Sequence, residues 1–327
     1  MEKILGIIGV ILALVFVSAV VLTTWESGKR DAKKNIAMFE IAPEDVDRIR
    51  VAGPDGAEAL IVRSGEGWSL PDLGDFPADP RKVDDVLTRL LHVKANRPVG
   101  SSEEELIAFK LAGDDFERRI TLAEGDTILA TLYLGTPQGP RQVHARRADQ
   151  SAAYDIDFGL YDAPADAGEW IDKGVLQMPL GDMAAIEVAG LRLVPAGAAT
   201  GTGRHWQLDG NGEARLKASA AARLADLLAQ LRIDRLAGPE AESDYALDTP
   251  LLSLSVTRSD GRRIDYRLGK ADLDEDYTLA VSTRPERFRL AARAARRLIE
   301  AAQRDSLLDS AIPQHAAFGM PALTRHN

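Results

Sequence analysis

The same succession of features runs twice along the chain, so whatever fold the first run adopts must also suit the second. Each run opens on two short alternating segments. These are Arg48-Ile49-Arg50-Val51 with Ala59-Leu60-Ile61-Val62, and Ala185-Ile186-Glu187-Val188 with Leu191-Arg192-Leu193-Val194. A Trp-x-Leu follows in both, Trp68-Ser69-Leu70 and Trp206-Gln207-Leu208. Next comes an amphipathic helix. Val83, Val86, Leu87, Leu90 and Leu91 recur at helical spacing after Asp79-Pro80, a cap and first-turn proline, and Leu224, Leu227, Leu228 and Leu231 recur after Ser219.

Phe109-x-Leu111 and Tyr245-x-Leu247 then lead into hairpins, Arg119 to Leu122 with Ile128 to Leu134, and Leu252 to Thr257 with Arg263 to Leu268. Their turns, Glu124-Gly125-Asp126 and Ser259-Asp260-Gly261, hold the Gly and Asp that a tight reversal needs. Both second strands end in Leu-Gly, and Trp to that Gly spans 67 residues in one copy and 63 in the other. Strands Gln142 to Arg146 and Ala153 to Ile156 precede a helix expected over residues 166–173; Tyr277 to Val281 and Arg287 to Leu290 precede one over 291–303. Period-two alternation gives each sheet one buried and one wet face, which suits antiparallel sheets with helices on one side. The expected class is α+β, with tandem repeats over residues 35–180 and 181–308. Glycine-rich residues 195–203 and 210–212 read as connecting loops, and residues 309–327 as a loose tail.

Ahead of the repeats lies a membrane signal. From Ile4 to Leu22 run 19 residues without charge or proline, about 28 Å as a helix and enough to cross a hydrocarbon core of about 30 Å. Trp25 follows at headgroup level, then Lys29, Arg30, Lys33 and Lys34. Residues 1–34 therefore read as a single-span anchor with a basic flank. The rival reading is a signal peptide cleaved after Val17-Ser18-Ala19, but the apolar run outlasts the usual core of such a peptide. The basic flank argues for a cytoplasmic bulk. A long soluble region behind an N-terminal span is nevertheless expected to be exported, here to the periplasmic side of an inner membrane, because long domains translocate despite modest flanking charge.

The chain is acidic, with 50 acids to 40 bases and net charge −10, the wrong sign for phosphate neutralisation, so a nucleic-acid role is excluded. It has no cysteine, which removes disulfides, thiolate nucleophiles and cysteine metal sites. HExxH, GxSxG, the Walker loop and a strand-linked GxGxxG are all missing, and no catalytic residue, metal or cofactor is expected. His92, His144, His205, His315 and His326 are scattered without i, i+4 pairing and read as structural. Asp272-x-Asp274-Glu275-Asp276 has Tyr277 and Thr283 where a calcium loop needs Gly and Glu, and reads as a solvated acidic turn. Gly201-Thr202-Gly203-Arg204 precedes a strand, where an anion nest opens a helix. Trp68 and Trp206 read as packing residues.

The last helix carries the candidate interaction surface. Leu290, Ala294, Leu298 and Ala302 make its expected apolar stripe, and Arg293, Arg296, Arg297 and Arg304 stand clear of it. On an acidic protein such a strip suits anionic headgroups or an acidic partner.

The N-terminal span, Trp-x-Leu, leucine helix, aromatic-x-Leu (fullest in Tyr245-Ala246-Leu247-Asp248-Thr249-Pro250), strand pair ending in Leu-Gly and Tyr-bearing strand together resemble domain of unknown function family 4340 over about residues 40–305. Copy one departs from the fuller pattern, with Phe109-Lys110-Leu111-Ala112-Gly113-Asp114 and no proline. The family comprises bacterial envelope proteins often encoded beside gliding-motility-type ABC transporter components. The resemblance therefore implies a membrane-anchored, non-enzymatic accessory protein with partners in an ABC-type envelope complex, and supplies no catalytic residues. The alternative expectation is a periplasmic ligand or glycan binder using the groove between repeats.

Overall fold

The computed structural model describes residues 36–95, 97–197, 204–210, 214–238, 245–270 and 276–309. The chain divides into two units between Asp172 and Lys173. The expected anchor from Ile4 to Leu22, the tail beyond Asp309, the acidic turn at residues 272–275 and Gly201–Gly203 lie outside the described residues. Among the described residues no helix is long and apolar enough to cross a membrane.

In the first unit the elements run β1 (Ile36–Ala37), β2 (Arg48–Ala52), β3 (Glu58–Ser64), β4 (Gly67–Leu70), β5 (Phe76–Pro77), α1 (Pro80–Leu91), β6 (Lys94–Ala95), β7 (Pro98–Gly100), α2 (Glu103–Ala108), β8 (Arg118–Glu124), β9 (Thr127–Gly139), β10 (Gln142–Arg147) and β11 (Ala153–Ile156). Nine of the strands form one antiparallel sheet in the order β5-β4-β3-β2-β8-β9-β10-β11-β7. Helix α1 starts where Asp79 Oδ1 accepts from the amides of Arg81 and Lys82, at 3.0 and 3.3 Å, with Pro80 supplying a preset first turn. Its Val83, Val86, Leu87, Leu90 and Leu91 are buried with the inward sheet residues Ile49, Val51, Ile61, Ile120, Leu122 and Leu132. Trp68 Nε1 donates to Asp84 Oδ1 at 3.1 Å, fastening β4 to the helix.

The second unit repeats this plan with β12 (Met183–Val188), β13 (Leu191–Pro195), β14 (Trp206–Leu208), α3 (Ala218–Ala229), β15 (Arg235–Leu236), β16 (Leu252–Arg258), β17 (Arg263–Gly269), β18 (Tyr277–Val281), β19 (Arg287–Leu290), α4 (Ala292–Ala302) and α5 (Arg304–Leu307). Its sheet order is β14-β13-β12-β16-β17-β18-β19-β15, the order of the first sheet without β5.

Register, not only order, is duplicated. Arg50 faces Leu60 on one side and Thr121 on the other, as Glu187 faces Arg192 and Ser255. Thr121 faces Thr131, as Ser255 faces Asp265. Val62 pairs with Ser69 as Val194 pairs with Gln207, which lays Trp68 over Trp206, both buried. Inward positions match in kind: Ile49 with Ile186, Val51 with Val188, Ile120 with Leu254, and Leu134 with Leu268.

The repeated aromatic-x-Leu and Leu-Gly motifs meet in space. Lys110 and Ala246, the middle residues of the first motif, both sit in the left-handed region at φ 56° and 54°, a conformation that costs a non-glycine residue about 1 kcal/mol. This turn drives Leu111 and Leu247 into full burial. A Cβ placed on Gly135 would lie 1.9 Å from the Phe109 carbonyl oxygen, and one on Gly269 would lie 2.3 Å from that of Tyr245. Glycine is required at both places because backbone occupies the space a side chain would need.

Two expectations are corrected and one helix is new. No α-helix spans residues 166–173; a single 3-10 turn, Ala167–Trp170, stands there. Trp170 is fully buried with its Nε1 donating to the Pro164 carbonyl at 2.9 Å, and the Asp172 amide pairs with Pro77, so tertiary bonds replace the helical ladder. Helix α3 begins at Ala218, with Lys217 at its N-cap making no side-chain cap, and not after Ser219. Helix α2 was not foreseen, although Ser102 and Glu105 form its capping box.

The sheet edges are blunt. β5 and β15 have two residues each, β7 and β14 three, and Pro77 and Pro98 stand in β5 and β7. Short edges with proline offer few free backbone groups for strand addition by a partner.

Candidate functional site

Helix α4 is built of alanine, arginine, leucine and one each of isoleucine and glutamate, nearly all strong helix formers. It buries Ala295, Leu298, Ala301 and Ala302, and lies against α3, whose Ala221, Leu224, Ala225 and Leu228 are buried. The buried stripe keeps Leu298 and Ala302 of the expected one, but Ala294 is exposed, and Leu290 is buried at the end of strand β19 before the helix begins. The inner face of the helix thus runs along Ala295, Leu298, Ala301 and Ala302.

Arg293, Arg296 and Arg297 therefore occupy the face opposite the core, at i, i+3 and i+4, and all three are exposed. Among the described residues none of the three has an ion-pair or hydrogen-bond partner. Glu300 shares this side of the helix one turn further on and borders a groove of about 430 Å³ with Ser219, Arg223 and Ser306. Arg304 is differently placed. Its Nη1 donates at 3.1 Å to the carbonyl of Ala189, in the β12–β13 turn where Ala189 and Gly190 are left-handed. The structure brings three of the four arginines together and ties the fourth to a turn.

Two arginines of the second unit's sheet, Arg192 and Arg263, are held in place. On its outward sheet face Glu187 accepts from Arg192 and, at 2.6 Å, from Arg263. Arg192 also reaches Asp209 at 2.9 Å and Arg263 reaches Asp265 at 2.9 Å. The bond from Arg263, followed by the charges of Arg263 and Arg192, holds the Glu187 carboxyl below the usual carboxylate range despite some burial. This cross-strand network lines an open concavity of about 570 Å³. Further along the same face, Tyr245, Leu247 and Ala280 form a small separate cluster that covers the sheet.

Of the histidines, His144 is buried, with its Nδ1 2.6 Å from Asp155 Oδ1 and its ring stacked on Phe109 at 4.1 Å. His92 Nδ1 meets the Thr88 carbonyl at 2.8 Å at the end of α1; His315 and His326 lie outside the described residues. Arg204 donates to the carbonyls of Leu180 and Gly181 at 2.7 and 2.8 Å, a bracing role. Among the described residues no three His, Asp or Glu side chains converge as a metal site would require. Sequence reasoning missed Tyr161, which is 93% exposed, because a single tyrosine between strands carries no pattern of its own.

A family model described as Domain of unknown function (DUF4340) matches residues 68–250, from Trp68 in the first unit to Pro250 in the second. No curated protein and no solved structure matches the chain.

Proposed function

The chain belongs to the family described as Domain of unknown function (DUF4340), and from that premise we propose that it is a membrane-anchored, non-enzymatic accessory protein of an ABC-type envelope complex. It is held at the inner membrane through the run from Ile4 to Leu22, with its two α+β units on the periplasmic side, and binds protein partners of that complex.

The observation that carries this reading is the trio Arg293, Arg296 and Arg297. Three exposed guanidiniums share one helix face, without partners among the described residues, on a chain of net charge −10. A local positive field on an acidic molecule draws an acidic surface into register and raises its rate of encounter. Blunt sheet edges favour this charged face over strand addition as the means of attachment.

The test is charge reversal of all three arginines in the full chain in its native membrane. Recovery of transporter subunits with the tagged chain is expected to collapse in the triple variant while its own level and melting temperature hold. Undiminished recovery would remove the strip from the function.

A further inference from the structure

In the second unit the strands are followed by the eleven-residue helix α4 alongside α3, whereas the first unit has at the corresponding point only the 3-10 turns Leu160–Asp162 and Ala167–Trp170. An open groove of about 800 Å³ lies there, between α1 and the turn that carries Tyr161. We propose that this groove is a binding site for a neutral saccharide, stacked on the Tyr161 ring. It lies wholly within the first unit and depends neither on the arginine strip nor on a groove between repeats.

Tyr161 is 93% exposed, an unusual place to leave an aromatic side chain whose body gains by contact with apolar surface. A pyranose ring offers such surface on its C–H face and hydroxyls around its rim. The groove supplies groups for that rim. Arg89 Nη2 pairs with Asp162 Oδ1 at 2.9 Å, Asp162 Oδ2 is clamped by the Gly159 amide at 2.8 Å, and the Arg89 guanidinium lies 5.7 Å from the Phe158 ring centre. This pair is held before any ligand arrives, and its remaining donors and acceptors are presented in fixed geometry. Asp85 and Thr88 add exposed polar groups from successive turns of α1.

Charge balance selects the class of ligand. Arg81, Lys82 and Arg89 are matched by Asp79, Asp85 and Asp162. Asp79 is spent on the helix cap, and Lys82 Nζ donates to the Glu169 carbonyl at 2.6 Å. Such a lining favours neither an anion nor a cation, and it suits hydroxyls, which donate and accept together.

The test uses the purified full chain in a detergent without a sugar headgroup, with saturation transfer measured to maltotriose, cellotriose and tri-N-acetylchitotriose, and to hexaproline as a peptide that could also stack on tyrosine. Transfer to the ring C–H protons of at least one trisaccharide is expected, with Kd raised at least tenfold in Tyr161→Ala and changed less than threefold in Tyr161→Phe. The melting temperature should be the same in all three proteins, since the side chain faces solvent. Absence of transfer to every trisaccharide, binding of hexaproline alone, or equal affinity in Tyr161→Ala would each overturn the proposal.

Discussion

The carbonyl oxygen of Phe109 occupies the space in which a side chain on Gly135 would begin, and it accepts the amide of the next residue, Thr136, at 2.9 Å. A turn and a strand from distant parts of the repeat are thus locked backbone to backbone, and in the second unit the Tyr245 carbonyl oxygen likewise takes the space of a side chain on Gly269.

Gly135→Ala is therefore expected to cost about 3 kcal/mol or more, since strand and turn cannot both stay in place around a methyl group. Gly139→Ala, four residues along the same strand with open space at its Cβ, is the matched control and should change little. Denaturant midpoints measure both, and equal midpoints would mean that the Phe109 turn can retreat.

Burial pushes the Tyr266 phenol up to about 12 from 10.0, partly opposed by the Arg258 charge. Above pH 10 the unfolded chain releases this proton while the folded chain retains it, so the contribution is intact below pH 10 and lost as pH rises towards 12. About 2–3 kcal/mol is at stake for a shift of this size. Tyr266→Phe should lose less stability than the parent between pH 10 and 12 when unfolding is followed at a series of pH values. Parallel losses in the two proteins would count against this.

A reporter active only outside the cytoplasm, fused after Asn327, is expected to be active. The charge count around the apolar run from Ile4 to Leu22 points the other way, so an inactive reporter on a stable, membrane-inserted fusion would reverse the proposed orientation.

Replacing Asp79 by alanine removes the acceptor for two amides at the start of α1 and should cost about 1 kcal/mol. The same change at Lys217, the uncapped counterpart, removes no cap and only the exposed bond from Nζ to the Asp305 carbonyl at 3.1 Å, and should cost less. Thermal melts of the two variants decide it.

Strands β2, β3, β8, β9, β16 and β17 were legible because their inward residues alternate with polar ones, and the tryptophans because one packing solution is used twice. Helix α1 announced itself through Asp79-Pro80 and five spaced apolar residues. Residues 166–173 misled because burying Trp170 outweighs local helical preference. The left-handed turns at Lys110 and Ala246 were invisible at those positions, neither being Gly or Asn, and their only trace is the glycine two dozen residues downstream. Of the arginine strip three members were readable, Arg293, Arg296 and Arg297, whereas Arg304 lies beyond the end of α4 and its bond to the distant Ala189 carbonyl has no local signal. Nothing in the order of residues signals that Tyr161 stands alone in solvent.

The shared register has an evolutionary consequence. The inward pairs named above are identical or isomeric between the units, as in Ile49 and Ile186 or Ile120 and Leu254, while their neighbours on the other face have parted completely: Arg50 against Glu187, Leu60 against Arg192, Thr131 against Asp265. A lineage holding two copies of one frame can let one outer surface drift while the other keeps its task, because neither set of outward side chains is needed to hold its own sheet's core. New specificities could then be gained by changing every second residue of a strand, with the frame itself left untouched.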